Sequence, residues 1–171
     1  MVKTISTLIG PPCSGKTTIC NLLNEKGFNV LSIRNEYNRR RFEESDFGRE
    51  LQQQESAAIN GKLIEEHLIK KIVRDYFLNN SIENAHIICD GFPRTIQQSR
   101  DLLSIAENFG RLGAIIILNG PEEILFERNI TRRNSQKRKD DQYVSFDKKF
   151  RNYIESTLEG VIYLKKEEPA R

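Results

Sequence analysis

Short apolar runs alternate with longer amphipathic stretches along this chain. Four runs are rich in β-branched and apolar residues, and their lengths are typical of strands. They are Lys3–Ile9, Phe28–Ser32, His86–Cys89 and Ala114–Leu118. The last run is apolar at every position, which predicts a strand buried on both faces of a parallel sheet.

Helical spacing of apolar residues predicts helices between and after these strands. The predicted helices are Lys16–Lys26, two or more pieces within Asn35–Asn80 with a break near Gly61, Ile96–Asn108, Glu122–Arg133 and Tyr143–Glu167. Strands that alternate with helices imply right-handed βαβ units and a parallel sheet covered on both faces. The 171 residues are therefore predicted to form one α/β domain.

The composition indicates in which cellular compartment the protein is expected and which kinds of partner are not expected. No apolar stretch approaches the roughly 20 residues of a membrane-spanning helix, and Met1 leads directly into a strand without a signal peptide, so we expect a cytoplasmic protein without a membrane partner. Three cysteines without C-x-x-C spacing indicate neither a disulfide framework nor a zinc site. The net charge of +3 is too small to indicate nucleic-acid binding, and the basic runs at 39–41 and 137–139 lack interleaved aromatic residues.

The first strand ends in a sequence with a specific chemistry. Residues 10–17 read Gly-Pro-Pro-Cys-Ser-Gly-Lys-Thr, which matches G-x-x-x-x-G-K-[ST] between a strand and a helix. Such a P-loop turns backbone N–H groups and a helix N-terminus toward a polyphosphate. The residues expected to bind ATP are Gly10, Pro12, Cys13, Ser14, Gly15, Lys16, Thr17 and Thr18. Lys16 would reach the β and γ phosphates, and the Thr17 hydroxyl would ligate Mg²⁺.

Asp90 ends the third strand. Carboxylates at strand ends of open α/β sheets face the ligand crevice, so Asp90 is a candidate to hold Mg²⁺ directly or through water. A purely turn-forming aspartate before Gly91 is the alternative.

The hexapeptide Asp90-Gly91-Phe92-Pro93-Arg94-Thr95 resembles the signature of adenylate kinases. Together with the P-loop it extends the resemblance to nearly the whole chain. The resemblance implies a P-loop NTPase fold of three α/β/α layers with four to five parallel strands. It divides the chain into a core of residues 1–33 and 81–171, a helical acceptor-binding insertion at about 34–80, and a short lid at about 133–142. The implied reaction is reversible transfer of the ATP γ-phosphate to AMP, giving two ADP.

The resemblance also implies roles on the acceptor side. Arg94 matches the arginine that binds the acceptor phosphate, and Gln98 the glutamine that contacts the adenine edge of AMP. Gly91 belongs to the same segment. Residues 61–64, Gly-Lys-Leu-Ile, resemble the segment that lines the AMP base pocket, which assigns Lys62, Leu63 and Ile64 to the acceptor site.

On the ATP side the resemblance assigns four basic residues. Arg128 and Arg132, four positions apart on one predicted helical face, match the pair that flanks ATP. Arg138, in Arg138-Lys139-Asp140-Asp141, matches the lid arginine that contacts the phosphates in transfer, and Lys149 stands where a later phosphate-contacting arginine is expected. Converging positive charge is what phosphoryl transfer requires, since negative charge spreads over the transferring group. The acceptor phosphate is itself the nucleophile, so no general base is assigned.

The sequence departs from the family pattern at three places. The acceptor-loop arginine is Asn38 in strict register, so that Arg39 or Arg34 replaces it or the acceptor differs. Lys149 keeps a charge but lacks the planar guanidinium fork, and Arg151 competes with it for that role. The chain stops at Arg171, where the family continues into a fifth strand, so we expect either a four-stranded sheet or a missing carboxyl-terminal part.

Two other functions remain open on this sequence. A kinase for another nucleoside monophosphate is favoured by Asn38, whereas the Arg-Thr-x-x-Gln pattern at 94–98 favours AMP. A nucleotide-binding module with little turnover is favoured by the altered acceptor loop and by the short carboxyl end.

Overall fold

The computed structural model describes residues 3–55, 62–79, 86–136 and 145–167. Its sheet contains the strands β1 (Lys3–Ile9), β2 (Asn29–Ser32), β3 (His86–Asp90) and β4 (Gly110–Ile117). The spatial order is β2-β3-β1-β4, and every pairing is parallel. The central position of β1 places the loop that follows it at the middle of the carboxyl edge of the sheet.

Helices connect the strands and cover the sheet. They are α1 (Lys16–Glu25), α2 (Ile33–Arg40), α3 (Asp46–Gln53), α4 (Glu66–Asn79), α5 (Ile96–Phe109), α6 (Glu122–Gln136), α7 (Phe146–Asn152) and α8 (Leu158–Glu167), with a π-helical turn at Tyr153–Thr157 between α7 and α8. In the described ranges no helix is both long enough and apolar enough to cross a bilayer.

Successive residues of β3 point to opposite faces of the sheet and pack into two different hydrophobic cores. Ile88 belongs to a small core with Leu8 of β1 and Cys20 of α1, on one face of the sheet. Ile87, the preceding residue, belongs to the large core on the opposite face, which α4, α5 and α8 complete. The predicted three-layer α/β/α fold with a parallel sheet is therefore confirmed.

The prediction that the fourth strand is buried on both faces is wrong. β4 pairs only with β1 in the described sheet, so it is an edge strand. It also begins four residues earlier than predicted, at Gly110, and its residues alternate between partly buried and exposed, with Ile116 exposed. A run of apolar residues does not show whether helices cover both faces of the strand or whether a further strand pairs with its free edge, because both depend on other segments.

The region between β2 and β3 contains α2, α3 and α4. The Tyr37 hydroxyl of α2 donates to the Leu51 carbonyl of α3 at 3.0 Å. The Arg40 guanidinium, which is only 8% exposed, pairs with Asp75 of α4 at 2.9 Å. In turn, the Lys70 ammonium of α4 contacts the buried Asp101 of α5 at 2.7 Å, which ties these helices to the core.

Gly48 brings α3 against the end of α2. A Cβ atom at this position would lie 2.2 Å from the Glu43 carbonyl oxygen and 3.1 Å from that of Arg40. Its N–H is held by the Ser45 hydroxyl, which caps α3. The close approach fixes the segment of residues 41–45 between the two helices.

We therefore expect Gly48→Ala to lower the free energy of unfolding by about 1–3 kcal/mol, because the added methyl group forces the backbone apart. Alanine gains at most about 1 kcal/mol from its higher helix propensity, so the clash decides the sign. Chemical denaturation measures the difference. Gly120→Ala is the matched control, since a Cβ there meets its nearest atom at 3.6 Å; equal stability of the two variants would contradict the packing argument.

Candidate functional site

The carboxyl ends of three adjacent strands meet at one edge of the sheet. Asp90, the last residue of β3, is aligned with Leu8 of β1 on one side and with Ser32 of β2 on the other. A cavity of about 1370 Å³ opens at this edge. Ligands of open α/β sheets bind in this position, where the order of the strands changes direction.

The loop between β1 and α1 forms the floor of the cavity. Gly15 adopts φ 94° and Cys13 φ 63°, so two positions of this turn use the left-handed conformation. A Cβ at Gly10 would lie 2.8 Å from the Leu118 carbonyl oxygen and 2.7 Å from Ser14 Oγ, which is why glycine is required there. The turn sends the chain directly into α1 with its N-terminal N–H groups facing the cavity edge.

Lys16 folds over this loop. Its Nζ donates to the carbonyl oxygens of Gly10 and Pro11, each at 2.7 Å, and to Ser14 Oγ at 3.2 Å. Burial and the nearby Arg94 guanidinium lower the pKa of the ammonium group, the Asp90 carboxylate opposes both effects, and the resulting pKa is about 8. The surroundings of the ammonium group therefore offset little of its positive charge, and a bound phosphate would supply the missing negative charge.

The segment after β3 is fastened to the sheet and to α5. The Thr7 hydroxyl, fully buried in β1, donates to the Phe92 carbonyl oxygen at 2.5 Å. The backbone N–H of Arg94 donates to Gln98 Oε1 at 2.8 Å, and Arg94 Nε donates to the Gly91 carbonyl at 3.1 Å. Gly91 has φ 78°, which lets the arginine side chain fold back over the turn. The guanidinium group of Arg94 is thus positioned beside the phosphate-binding loop.

Helix α6 packs against the other side of the loop. Asn129, which is buried, donates from Nδ2 to Cys13 Sγ at 3.6 Å. Arg128 and Arg132, one helical turn apart, line the cavity, and Arg132 is near enough to Lys16 to lower the pKa of that lysine slightly. The Cys13 thiol thereby serves as the acceptor that attaches α6 to the loop.

The structure brings most of the predicted site residues to one cavity. Those that line it are Gly10, Pro12, Cys13, Ser14, Gly15, Lys16, Thr17, Thr18, Lys62, Leu63, Ile64, Asp90, Gly91, Arg94, Gln98, Arg128, Arg132 and Lys149. Arg138 lies outside the described residues. Their roles toward a nucleotide stay predictions.

Arg39 is the predicted residue that the structure does not bring to the cavity. Its guanidinium group is 58% exposed and pairs with Glu36 at 2.8 Å and with Glu43 at 2.9 Å. It lies one position beyond Asn38, and 100° of helical rotation per residue carries it to the outer face of α2. Arg34, the alternative, lines the cavity.

Sequence reasoning missed several residues of the cavity wall. Arg41, Glu55 and Asn152 line it, and Thr7 supports it from below. A signal for Arg41 was present, because positions 34, 38 and 41 share one helical stripe. Glu55 and Asn152 carried no such signal, since only the packing of distant segments brings them to the cavity.

The charge of the cavity differs from that of the chain. Among the described residues it is lined by eight basic side chains and two carboxylates, Glu55 and Asp90, whereas the whole chain carries only +3. Positive charge is thus concentrated around one enclosed volume, which suits an anionic ligand of high charge.

The oxygen donors that Mg²⁺ prefers are present in the cavity. Thr17 and Asp90 both line it, and the carboxylate of Asp90 is near enough to raise the pKa of Lys16. Mg²⁺ typically uses one or two protein oxygens and takes its remaining ligands from water and phosphate. These two residues fit such a site.

Parallel strands, a P-loop at the central strand and converging cations define a P-loop phosphotransferase. A family model described as adenylate kinase matches residues 8–168. The chain therefore belongs to the adenylate kinase family.

Individual relatives agree with this assignment. The adenylate kinase of Bartonella tribocorum is 32% identical over 159 residues, which cover 88% of this chain and 80% of the relative. That of Kocuria rhizophila is 29% identical, with 78% of this chain and 70% of the relative covered. That of Borrelia duttonii is 32% identical, and the match spans 75% of this chain but only 57% of the relative.

The lowered pKa of Lys16 predicts how ATP binding depends on pH. The ammonium form binds phosphate, and it is lost as the pH rises through about 8 in the ligand-free protein. Affinity for ATP measured by calorimetry in EDTA should therefore fall about tenfold between pH 7 and pH 9, one proton being taken up on binding. In Lys16→Arg, whose side chain stays charged, this decrease should disappear; a decrease of the same size in Lys16→Arg would show that another group titrates.

Proposed function

We propose that this chain catalyses reversible transfer of the γ-phosphate of ATP to AMP. The observation that carries the proposal is that Lys16 of the P-loop and Arg94 of the segment after β3 line one cavity and interact electrostatically. One group belongs to the proposed ATP site and the other to the proposed acceptor site. A shared cavity allows the two phosphates to meet in line, which direct transfer requires.

The volume of the cavity supports the proposal that two nucleotides bind there together. A site for a single small ligand typically has about 300–1000 Å³, and this cavity has about 1370 Å³. Its wall extends from Arg128 on the ATP side to residues 62–64 on the acceptor side. ATP and a nucleoside monophosphate are therefore the proposed small-molecule partners.

The chain's own residues would act mainly by placing charge. The loop N–H groups and Lys16 bind the β and γ phosphates of ATP, while Arg128 and Arg132 flank that nucleotide. Arg94 holds the acceptor phosphate, which attacks the γ-phosphorus through one of its own oxygens. Arg132, Lys149 and Arg138 compensate the negative charge that develops during transfer.

Gln98 has two proposed contributions. Its Oε1 accepts from the Arg94 N–H, so it helps to position the arginine. Residues 62–64 and Gln98 line the same cavity, which supports adenine as the base at the acceptor site. The side chain is only 3% exposed, so its orientation is set by the fold before a ligand binds.

Magnesium is the proposed metal, with Thr17 and Asp90 as the residues that would hold it, directly or through water. It would supply charge neutralisation between the β and γ phosphates. We further propose a cytoplasmic location, where both nucleotides are available.

A second acceptor is a specific alternative. Asn38 lines the cavity at the place where the family pattern has an arginine. A site with one fewer guanidinium group at this position would also suit another nucleoside monophosphate.

An acceptor panel tests the proposal. Purified protein with ATP and Mg²⁺ should form ADP with AMP, and turnover with CMP, UMP, GMP or dAMP should be lower. ADP formation is followed in a coupled assay, with Lys16→Met as the background. Turnover with a pyrimidine nucleotide but not with AMP would disprove the proposed acceptor, and nucleotide binding without any turnover would leave only a binding module.

Replacing Arg94 should impair the use of AMP more than the binding of ATP. We expect Arg94→Ala to raise the KM for AMP roughly ten- to hundredfold, the effect of about 1.5–3 kcal/mol for a hydrogen bond to a charged group. The dissociation constant of ATP, measured by calorimetry, should change less than threefold. Arg100→Ala is the control, because Arg100 lies on α5 against the Tyr163 ring and outside the cavity. Equal losses for both nucleotides would remove Arg94 from the acceptor site.

A further inference from the structure

The acceptor side of the cavity contains two arginines, Arg34 and Arg41, that the proposed function does not use. Arg34, Asn38 and Arg41 occupy positions i, i+4 and i+7 along α2 and its carboxyl end, and all three line the cavity. Arg39 and Arg40, between them, point elsewhere and pair with carboxylates of their own. One stripe of the helix therefore faces the cavity, and the Cα atoms of its two arginines lie about 10 Å apart along the helix axis.

Arg41 is held firmly by its surroundings. Its side chain is only 17% exposed, and its guanidinium carbon lies 4.7 Å from the centre of the Phe42 ring and 5.7 Å from that of Tyr37. Gln52 Nε2 donates to the Arg41 backbone carbonyl at 2.7 Å, so α3 fixes the backbone as well. A guanidinium group packed against aromatic rings has its in-plane N–H groups left for polar contacts.

Those N–H groups are incompletely satisfied. Nη1 donates to Glu55 Oε1 at 2.7 Å, whereas Nε is buried and makes no hydrogen bond within the described residues. The Arg41 side chain lines the cavity, where a phosphate would offer three acceptor oxygens to the planar guanidinium group.

Glu55, the ion-pair partner of Arg41, can readily be replaced by another anion. Glu55 also lines the cavity, and its side chain is 42% exposed, so water can solvate the carboxylate if the pair separates. An ion pair with one exposed, hydrated partner is weaker than a fully buried pair, so a competing anion can replace the carboxylate. A phosphate dianion carries more charge than the carboxylate and is therefore the stronger partner for the guanidinium group.

We propose that Arg41 binds the phosphate group of the acceptor nucleotide and that Glu55 holds its guanidinium group in the cavity until that phosphate replaces it. The inference rests on the proposed function, because it assigns a residue pair to the acceptor site of the same reaction. Arg41 thereby supplies, one helical turn beyond Asn38, positive charge that Asn38 cannot provide.

Calorimetric titration of AMP and of adenosine into the full chain tests this inference. Arg41→Gln should weaken AMP binding roughly ten- to hundredfold and leave adenosine, which has no phosphate, within about twofold. Arg41→Lys keeps the charge without the fork and should give an intermediate loss. Glu55→Gln removes the competing carboxylate and should strengthen AMP binding about two- to fivefold, the converse of the small pair energy.

Two controls separate binding from structure. Arg49→Lys alters an arginine of α3 that pairs with Asp46 at the surface and does not line the cavity, so AMP binding should not change. Thermal unfolding of each variant reports any loss of stability, and Arg41→Lys preserves the packing if Arg41→Gln does not fold.

The outcomes distinguish the possible errors. Equal losses of AMP and adenosine affinity in Arg41→Gln would assign the residue to the base and overturn the inference. A lower melting temperature with unchanged AMP affinity would reduce the pair to a structural contact and also overturn it. If the wild-type protein does not bind AMP, the proposed function itself fails, and the inference fails with it.

Discussion

Burial of many positive charges around one cavity is the constraint on which this structure depends. Eight basic side chains share the wall of one cavity with two carboxylates, and burial together with Arg94 lowers the pKa of Lys16 to about 8. Two of these groups are held in place by hydrogen bonds to the surrounding backbone. Lys16 is bonded to loop carbonyls, and Arg94 is bonded to the Gly91 carbonyl and, through its backbone, to Gln98. Stability is thus reduced at the place where a polyphosphate restores it on binding.

The supporting contacts explain why the cavity keeps its shape without a ligand. Thr7 holds the Phe92 carbonyl to the central strand, and Asn129 attaches α6 to the loop through the Cys13 thiol. On the acceptor side, Tyr37 and Arg40 join α2 to α3 and α4. Catalysis by pre-placed charge requires such supports, since a guanidinium group that must reorient during the reaction loses much of its benefit.

On the acceptor side, the arginines that line the cavity occupy other positions than the arginine of the family pattern. Position 38 carries an asparagine, Arg39 turns to the outer face to pair with Glu36 and Glu43, and Arg34 and Arg41 line the cavity instead. Counting along the sequence offered Arg39 or Arg34, and Arg39 was the residue assigned to the acceptor site. Helical rotation separates them, because four residues preserve the face of α2 whereas one residue changes it.

The sequence by itself determined the fold class, and it identified the P-loop, Asp90 and most of the basic side chains that line the cavity. Local patterns carry that information, because a P-loop or Asp90-Gly91-Phe92-Pro93-Arg94-Thr95 creates its own turn at the end of its own strand. Only the tertiary structure decided that alternate residues of β4 are exposed, that Arg39 faces away, and that Arg41 meets Glu55 at 2.7 Å. These outcomes depend on which distant segments pack together, and no spacing within one segment encodes the position of another.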